Sequence, residues 1–289
     1  MKTLKLQNSI WELDLAPSWG GRVSALRAEG LDIVTPLVAS TFDPVVWPKG
    51  GIYPLMPYSN RLRNSSLSHG GLTDALPVHP AAAPHSLHGV AHTLPWDVIN
   101  QDEEIIILRC LYEGEHWPWP VRFEQRFALQ KNRLTIDLKV TNLGTSLMPA
   151  GLGLHPYFQR HKEMQAQFNI AEIWEIDSDY LPTGVVRSNN QLIVMDNELD
   201  EELALYGGGW DGQLQVNYPQ GQLIVETQSP LTHFIAFAPQ DAPYFCLEPV
   251  SHVADAFNTP PSEWKKTGTQ LLEPQQSLTA CVAFIWNKK

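Results

Sequence analysis

The sequence predicts an all-β protein built from many short strands and long, proline-rich loops. Three observations carry this. The 289 residues include 23 prolines, which helix interiors tolerate poorly. No long run places apolar residues at i, i+3, i+4 and i+7. Several segments alternate apolar and polar residues with a period of two, the mark of a half-buried strand.

Taken in order, Leu4 to Leu15 reads as a hairpin turning at Gln7-Asn8-Ser9. Gly20-Gly21 turns into a strand over Arg22 to Leu26, and Glu29-Gly30 turns out of it. Pro36 to Pro95 is irregular, rich in proline and glycine, and holds half of the histidines. It carries too many aromatic and aliphatic residues to be disordered throughout, so it reads as binding loops. Strands resume at Glu104 to Tyr112. Val121 to Leu129 and Leu134 to Thr141 form a hairpin across Gln130 to Arg133, with Leu134, Ile136, Leu138 and Val140 on one face. Asp177 to Gly184 reads as loop, Glu198 to Glu202 as a solvated acidic segment, and Gly207-Gly208-Gly209 as a tight loop. Leu214 to Tyr218 and Leu223 to Thr227 make another hairpin. Phe234 to Ala238, Tyr244 to Leu247 and Leu278 to Trp286 are further strands.

The length fits one large all-β domain or two ordinary ones. No linker, composition break or repeat divides it, so one domain over 1–289 is expected. The formal net charge of −11 speaks against nucleic acid or an anionic membrane as partner and leaves room for a small molecule. Cys110, Cys246 and Cys281 are far apart and odd in number, and read as buried free thiols in a reducing compartment. The N-terminus lacks an apolar core of signal-peptide length, and no run is long enough to span a membrane. A cytoplasmic protein is expected. The sequence sets no oligomeric state.

Five stretches look chemical. In Gly151-Leu152-Gly153-Leu154-His155-Pro156-Tyr157-Phe158, small residues leave room beside a histidine held at a strand end. A lone histidine is more often a core residue bonded to a carbonyl. Asn60-Arg61 closes an apolar, proline-braced loop with donors suited to hydroxyls or carboxylates; the plain alternative is a surface arginine. His85, His88 and His92 have the spacing of one helical face, but Pro84, Gly89 and Pro95 oppose a helix. A metal is therefore not expected, and His88 reads as a donor to a substrate hydroxyl. Asp211, in Gly209-Trp210-Asp211-Gly212, is either a hydroxyl acceptor beside an indole or an ordinary Asp-Gly turn. Glu248 ends the apolar run Tyr244 to Leu247, where an unpartnered carboxylate is costly and a general base is plausible chemistry.

In combination and in order, these segments resemble the aldose 1-epimerase (mutarotase) family. The resemblance rests on Asn60-Arg61, Leu87-His88-Gly89, Leu154-His155-Pro156-Tyr157-Phe158 and Cys246-Leu247-Glu248-Pro249. Gly20-Gly21-Arg22-Val23 and Leu272-Glu273-Pro274 also fit. It implies a large antiparallel β-sandwich of the galactose mutarotase-like supersandwich type with a sugar cleft, and no cofactor. It makes His155 the catalytic acid and Glu248 the base. It makes Asn60, Arg61, His88 and, on a looser match, Asp211 the sugar-binding residues. Where many members carry a glutamine in the strand before the glutamate, this chain has His233. The implied reaction interconverts the α and β anomers of an aldohexose by acid–base ring opening and closure. Gly89 to Trp96 is also similar to the hexose-6-phosphate 1-epimerase branch, for which Arg22, Arg61 and Arg63 are the available cations. Two other classes stay open: a non-catalytic sugar-binding protein, and a glycosidase pairing Glu248 with Asp211 or Glu226.

Overall fold

The structure, a computed structural model, describes residues 3–46, 49–197 and 201–289. It is 52% strand and 7% helix, with two large antiparallel sheets.

The nine-stranded sheet runs Asp97–Gln101, Ile105–Tyr112, Val121–Gln130, Arg133–Asn142, Ser277–Lys288, Gly221–Thr227, Gln213–Tyr218, Gln165–Phe168 and Ile193–Asp196. Its central strands alternate as expected: Leu134, Ile136, Leu138 and Val140 are buried, while Thr135, Asp137 and Lys139 are half-buried. Period-two patterning of this kind belongs to an antiparallel sheet with one wet face. That face carries cross-strand ion pairs such as Arg109–Glu124 at 3.0 Å and Arg126–Asp137 at 3.1 Å. These pairs are exposed enough to contribute about 0–1 kcal/mol each. Burial of the inward row, at about 25 cal/mol per Å² of apolar surface, is the larger effect.

The second sheet has eleven strands. Its main path is Leu4–Gln7, Trp11–Ala16, Arg22–Ala28, Ile52–Leu55, Gly153–Gln159, Tyr244–Val250, His233–Ala238, Leu203–Gly208, Glu172–Ile176 and Pro182–Ser188, with Leu31–Asp32 beside Arg22–Ala28. Its centre is buried on both faces. Every residue of Ile52–Leu55 is buried, as are all but the last of Gly153–Gln159 and all but the first of Tyr244–Val250. Leu154, Phe158, Phe245, Leu247, Phe234 and Ala236 join one apolar cluster with the inner face of the nine-stranded sheet. Side chains from the irregular stretch before Pro95 share the opposite face, and a cavity lies between them.

Four expectations are corrected here. His155 and Glu248 are not at strand ends: each sits inside a seven-residue central strand. Gly207 and Gly208 do not form a loop but end the strand Leu203–Gly208. A Cβ on Gly207 would lie 2.6 Å from Ile170 Cγ2, so close packing and not a turn accounts for that glycine. The loop expected over Asp177 to Gly184 gives way to a strand at Pro182. Cys110 and Cys246 are buried free thiols, but Cys281 is exposed. It follows the pleat of Ser277–Lys288, opposite Asp137. Of the acidic segment 198–202, residues 198–200 lie outside the described residues; Glu201 and Glu202 are exposed.

Gly51 shows how tightly the covering loop enters the sheet. Its φ is +72°, and a Cβ would lie 2.0 Å from the Val23 carbonyl oxygen, a backbone atom that cannot yield alone. Gly51→Ala combines left-handed strain with a steric clash and is expected to destabilise the fold by about 2–5 kcal/mol. Denaturant unfolding measures this; a loss under about 0.5 kcal/mol would contradict the packing described.

Candidate active site

The cavity grows from strand register. Tyr53 pairs with His155, and Ile235 with Glu248, and Tyr206 with Ile235. The ladder that pairs Gly153 with Val250 and Tyr157 with Cys246 sets His155 opposite Glu248. Tyr53, His155, Glu248, Ile235 and Tyr206 therefore form one row across five adjacent strands. One step along the pleat, Tyr157, Cys246 and Phe237 form the next row on the same face. The cavity over these rows holds about 290 Å³ and is closed by Asn60, Arg61, Leu87, His88, Tyr180 and Lys49.

His155 Nε2 lies 3.4 Å from Glu248 Oε1, and both side chains are under a tenth exposed. Burial pushes the Glu248 carboxyl up to about 8, and the positive charge of Arg61 only partly opposes it. Burial also holds His155 well below the usual histidine value, and repulsion by Lys49 and Arg22 adds to it. Desolvation dominates at both groups, so the resting pair is a neutral imidazole beside a carboxyl raised to about 8.

The loop residues are fixed by a reciprocal contact. The Asn60 N–H donates to His88 Nδ1 at 3.1 Å, and the His88 N–H donates to the Asn60 carbonyl at 2.9 Å. Both residues have left-handed backbones, φ 61° and 63°. Strain of this type persists only where the surroundings enforce it. Because Nδ1 accepts, neutral His88 carries its proton on Nε2. Asn60 Oδ1 accepts from the Arg61 N–H at 2.8 Å and from the Tyr206 hydroxyl at 3.3 Å. The Arg61 guanidinium stacks 4.7 Å over Tyr180.

His155, Glu248, Asn60, Arg61 and His88 thus line one cavity. Asp211 and His233 do not, and both expectations are corrected. Asp211 is exposed, accepts from Asn169 at 3.1 Å and from the Gln213 N–H at 3.0 Å, and lines a different surface cleft with Glu226. It serves a turn. His233 is buried beyond the cavity, its ring nitrogens 3.2 Å from Thr232 Oγ1 and from the Lys266 carbonyl. The register places Ile235, not His233, beside Glu248. The residues that sequence reasoning missed are Lys49, Tyr53, Tyr157, Tyr180, Tyr206, Phe237 and the cavity role of Cys246. Spacing by two from His155 and Glu248 would have found Tyr157 and Cys246; the others depend on which strands are neighbours. For metals, His155, Cys246 and Glu248 each offer a ligand atom, all within 4.8 Å of one another.

The fold and the cavity define the class, a galactose mutarotase-like sandwich with a buried imidazole–carboxyl pair. The family profile for aldose 1-epimerase matches residues 3–284, and the chain belongs to that family. A curated relative, the uncharacterized protein YphB of Escherichia coli K12, is 27% identical over 238 residues, 78% of this chain and 81% of its own. A galactose mutarotase-like protein from Clostridium acetobutylicum superposes with a TM-score of 0.86 at 17% identity, covering 99% of this chain and 95% of the other. The GalM/aldose epimerase homologue from C. elegans gives 0.81 at 15%, covering 99% of both. At these identities the two structures speak for the fold alone.

Behind the pair lies a stack. Tyr53 lies against His155 at 4.5 Å between ring centres and 21° between planes, and the Arg22 guanidinium sits 4.4 Å over the other end of the stack, on Tyr53. Arg22 is fully buried and holds His92 through a carbonyl contact at 3.4 Å. Removing this cation relieves a repulsion on the protonated imidazole. Arg22→Gln is expected to raise the His155 pKa, read by NMR titration, and to cost about 1–3 kcal/mol of stability from lost stacking and hydrogen bonding. An unchanged or lowered His155 titration in the folded variant would contradict this.

Proposed function

We propose that the protein is an aldose 1-epimerase that interconverts the α and β anomers of a free aldohexose. The observation that carries this reading is the His155–Glu248 contact at 3.4 Å inside a cavity of about 290 Å³. That volume is at the small end of ligand sites, suited to one sugar ring. Asn60, Arg61 and His88 surround the pair with hydroxyl-binding groups.

Mutarotation needs one proton taken from the anomeric hydroxyl and one given to the ring oxygen. Glu248 takes the first and His155 gives the second. The bond between C1 and the ring oxygen breaks, the aldehyde rotates about C1–C2, and closure on the other face reverses both transfers. The active pair holds one proton. At rest it sits on Glu248; passing it to His155 leaves the carboxylate and imidazolium that the reaction uses, with no change in total charge. Positioned acid–base groups of this kind contribute about 10²–10⁴-fold each. No covalent intermediate is required.

A glycosidase would need a second carboxylate across the scissile bond, and Asp211 and Glu226 line a different cleft. One observation favours the phosphorylated substrate as a second reading: Lys49 joins Arg61 in the cavity wall. Arg22 is buried beneath Tyr53, and Arg63 is shared by Asp177 and Asp255, at 3.6 Å each. Free thiols at all three cysteines support the expected cytoplasmic setting.

Polarimetry or NMR exchange on freshly dissolved α-anomers of glucose, galactose and glucose 6-phosphate tests the reading. Mutarotation of a free hexose is expected. A strong preference for the phosphate would replace the first substrate with the second, and no turnover of any sugar that binds would leave a binding protein. Glu248→Gln and His155→Asn should each lower kcat by about 10²-fold or more with less effect on KM. Near-normal turnover by either folded variant would misplace the chemistry.

The pH profile follows from the one-proton pair. Activity should fall as pH rises through about 8, where the last proton leaves, because the Glu248 carboxyl is raised. It should persist to well below pH 6.5, because a second proton enters only at the depressed His155. A profile that already collapses on going from pH 7 to 6 would contradict the assignment.

A further inference from the structure

Cys246 has no part in the proton transfers, yet it sits among the groups that perform them. It lies two residues before Glu248 on the same face of a central strand, and His155 comes from the neighbouring strand. All three are buried, and their ligand atoms lie within 4.8 Å of one another. We propose that His155, Cys246 and Glu248 form a zinc-binding site whose occupation shuts the cavity's chemistry off.

The donor set argues for zinc before other metals. One imidazole, one thiolate and one carboxylate is a borderline-soft mixture that calcium and magnesium avoid and zinc accepts. With zinc–ligand bonds of about 2.0–2.3 Å, tetrahedral ligand atoms lie about 3.3–3.8 Å apart. The histidine–carboxylate pair already stands at 3.4 Å. Only the sulfur need draw in, by a side-chain adjustment on a fixed strand. Three protein ligands leave a fourth position, and it faces the cavity, where water or a sugar hydroxyl completes the set.

The charges also balance. Glu248 Oε2 is buried without a hydrogen-bond partner among the described residues. Burial raises both the Cys246 thiol and, to about 8, the Glu248 carboxyl, favouring their protonated forms. A divalent cation displaces the thiol proton, and the carboxyl proton where present, to solvent. Thiolate and carboxylate then cancel its two charges, so Arg61 and Lys49 on the cavity wall face a neutral centre. The ion would consume the imidazole nitrogen and the carboxylate together, which makes it an inhibitor of the proposed epimerase and not its cofactor. Only this consequence rests on the epimerase reading; metal capture does not.

Cobalt(II) reports the site without any assay of turnover. The purified full chain, titrated with cobalt(II) near pH 7.5, is expected to develop visible bands of tetrahedral intensity and a near-ultraviolet sulfur-to-cobalt charge-transfer band. One equivalent of zinc should bleach both. Cys246→Ser should lose the charge-transfer band, whereas a Cys110→Ser, Cys281→Ser double variant should keep it; the double variant carries the test if Cys246→Ser does not fold. No tetrahedral spectrum, or a charge-transfer band lost with Cys110 and Cys281, overturns the proposal. Zinc-loaded protein should lose mutarotation, and a chelator should restore it. A cobalt spectrum without mutarotation of any sugar would refute the enzyme and leave the metal site. Mutarotation indifferent to zinc, with no spectrum, would do the reverse.

Discussion

The structure depends on keeping an acid and a base together in a place that favours the charge of neither. His155 and Glu248 meet at 3.4 Å, each nearly inaccessible to solvent. In water such a pair would exchange protons with its surroundings and gain little from its neighbour. Buried, it holds one proton between two groups whose affinities desolvation has driven past each other: the imidazole falls, the carboxyl rises to about 8. Sealing the pair requires cover on both faces of the sheet at that point. The core behind and the loops in front follow from that requirement.

Precision comes from placing the pair at the centre of the larger sheet. A row that runs Tyr53, His155, Glu248, Ile235, Tyr206 uses five strands, each held on both sides by antiparallel ladders. Backbone fixed in this way cannot drift, and the Arg22–Tyr53 stack braces the imidazole ring from behind. The loop side of the cavity is built differently. Asn60 and His88 sit on loops, and their left-handed backbones are held by the reciprocal bonds between them. In the proposed reaction the chemistry would thus stand on strands and recognition on loops, a division that would let substrate preference vary while the His155–Glu248 pair stays fixed.

The same two-faced burial decides what the sequence discloses. Where a strand has one wet face, as in Arg133–Asn142, alternation marks it almost to the residue. Gly153–Gln159 and Tyr244–Val250 are buried on both sides, so they read as unpatterned apolar runs with a polar residue at the edge, and His155 and Glu248 look terminal. The pair itself was legible through the segments that resemble the aldose 1-epimerases. Its neighbours Tyr53 and Tyr206 come from strands whose adjacency nothing local encodes. Asp211 misled because an Asp-Gly turn beside a tryptophan has the same composition as a sugar-binding corner. His233 misled by one pleat step: two residues along its strand, Ile235 holds the place beside Glu248.

A last constraint links the chain's charge to the site. The protein carries a formal −11, yet the groups placed at the cavity are biased the other way. Arg61 and Lys49 line it, Arg22 lies beneath Tyr53, and the Glu248 carboxyl in its wall is pushed towards its neutral form by burial. In the proposed reaction, negative charge develops on the anomeric oxygen as its proton leaves. A low-dielectric site with fixed cations stabilises that charge without reorganising at the moment of reaction. Burial first, and the same cations second, hold His155 neutral at rest: an imidazolium there would lose its solvation and repel Arg22 and Lys49, and in the proposed reaction keeping the proton on Glu248 until the substrate hydroxyl arrives avoids both costs. Surface acidity and cavity basicity are therefore compatible parts of one arrangement, the second bearing on where a single proton rests.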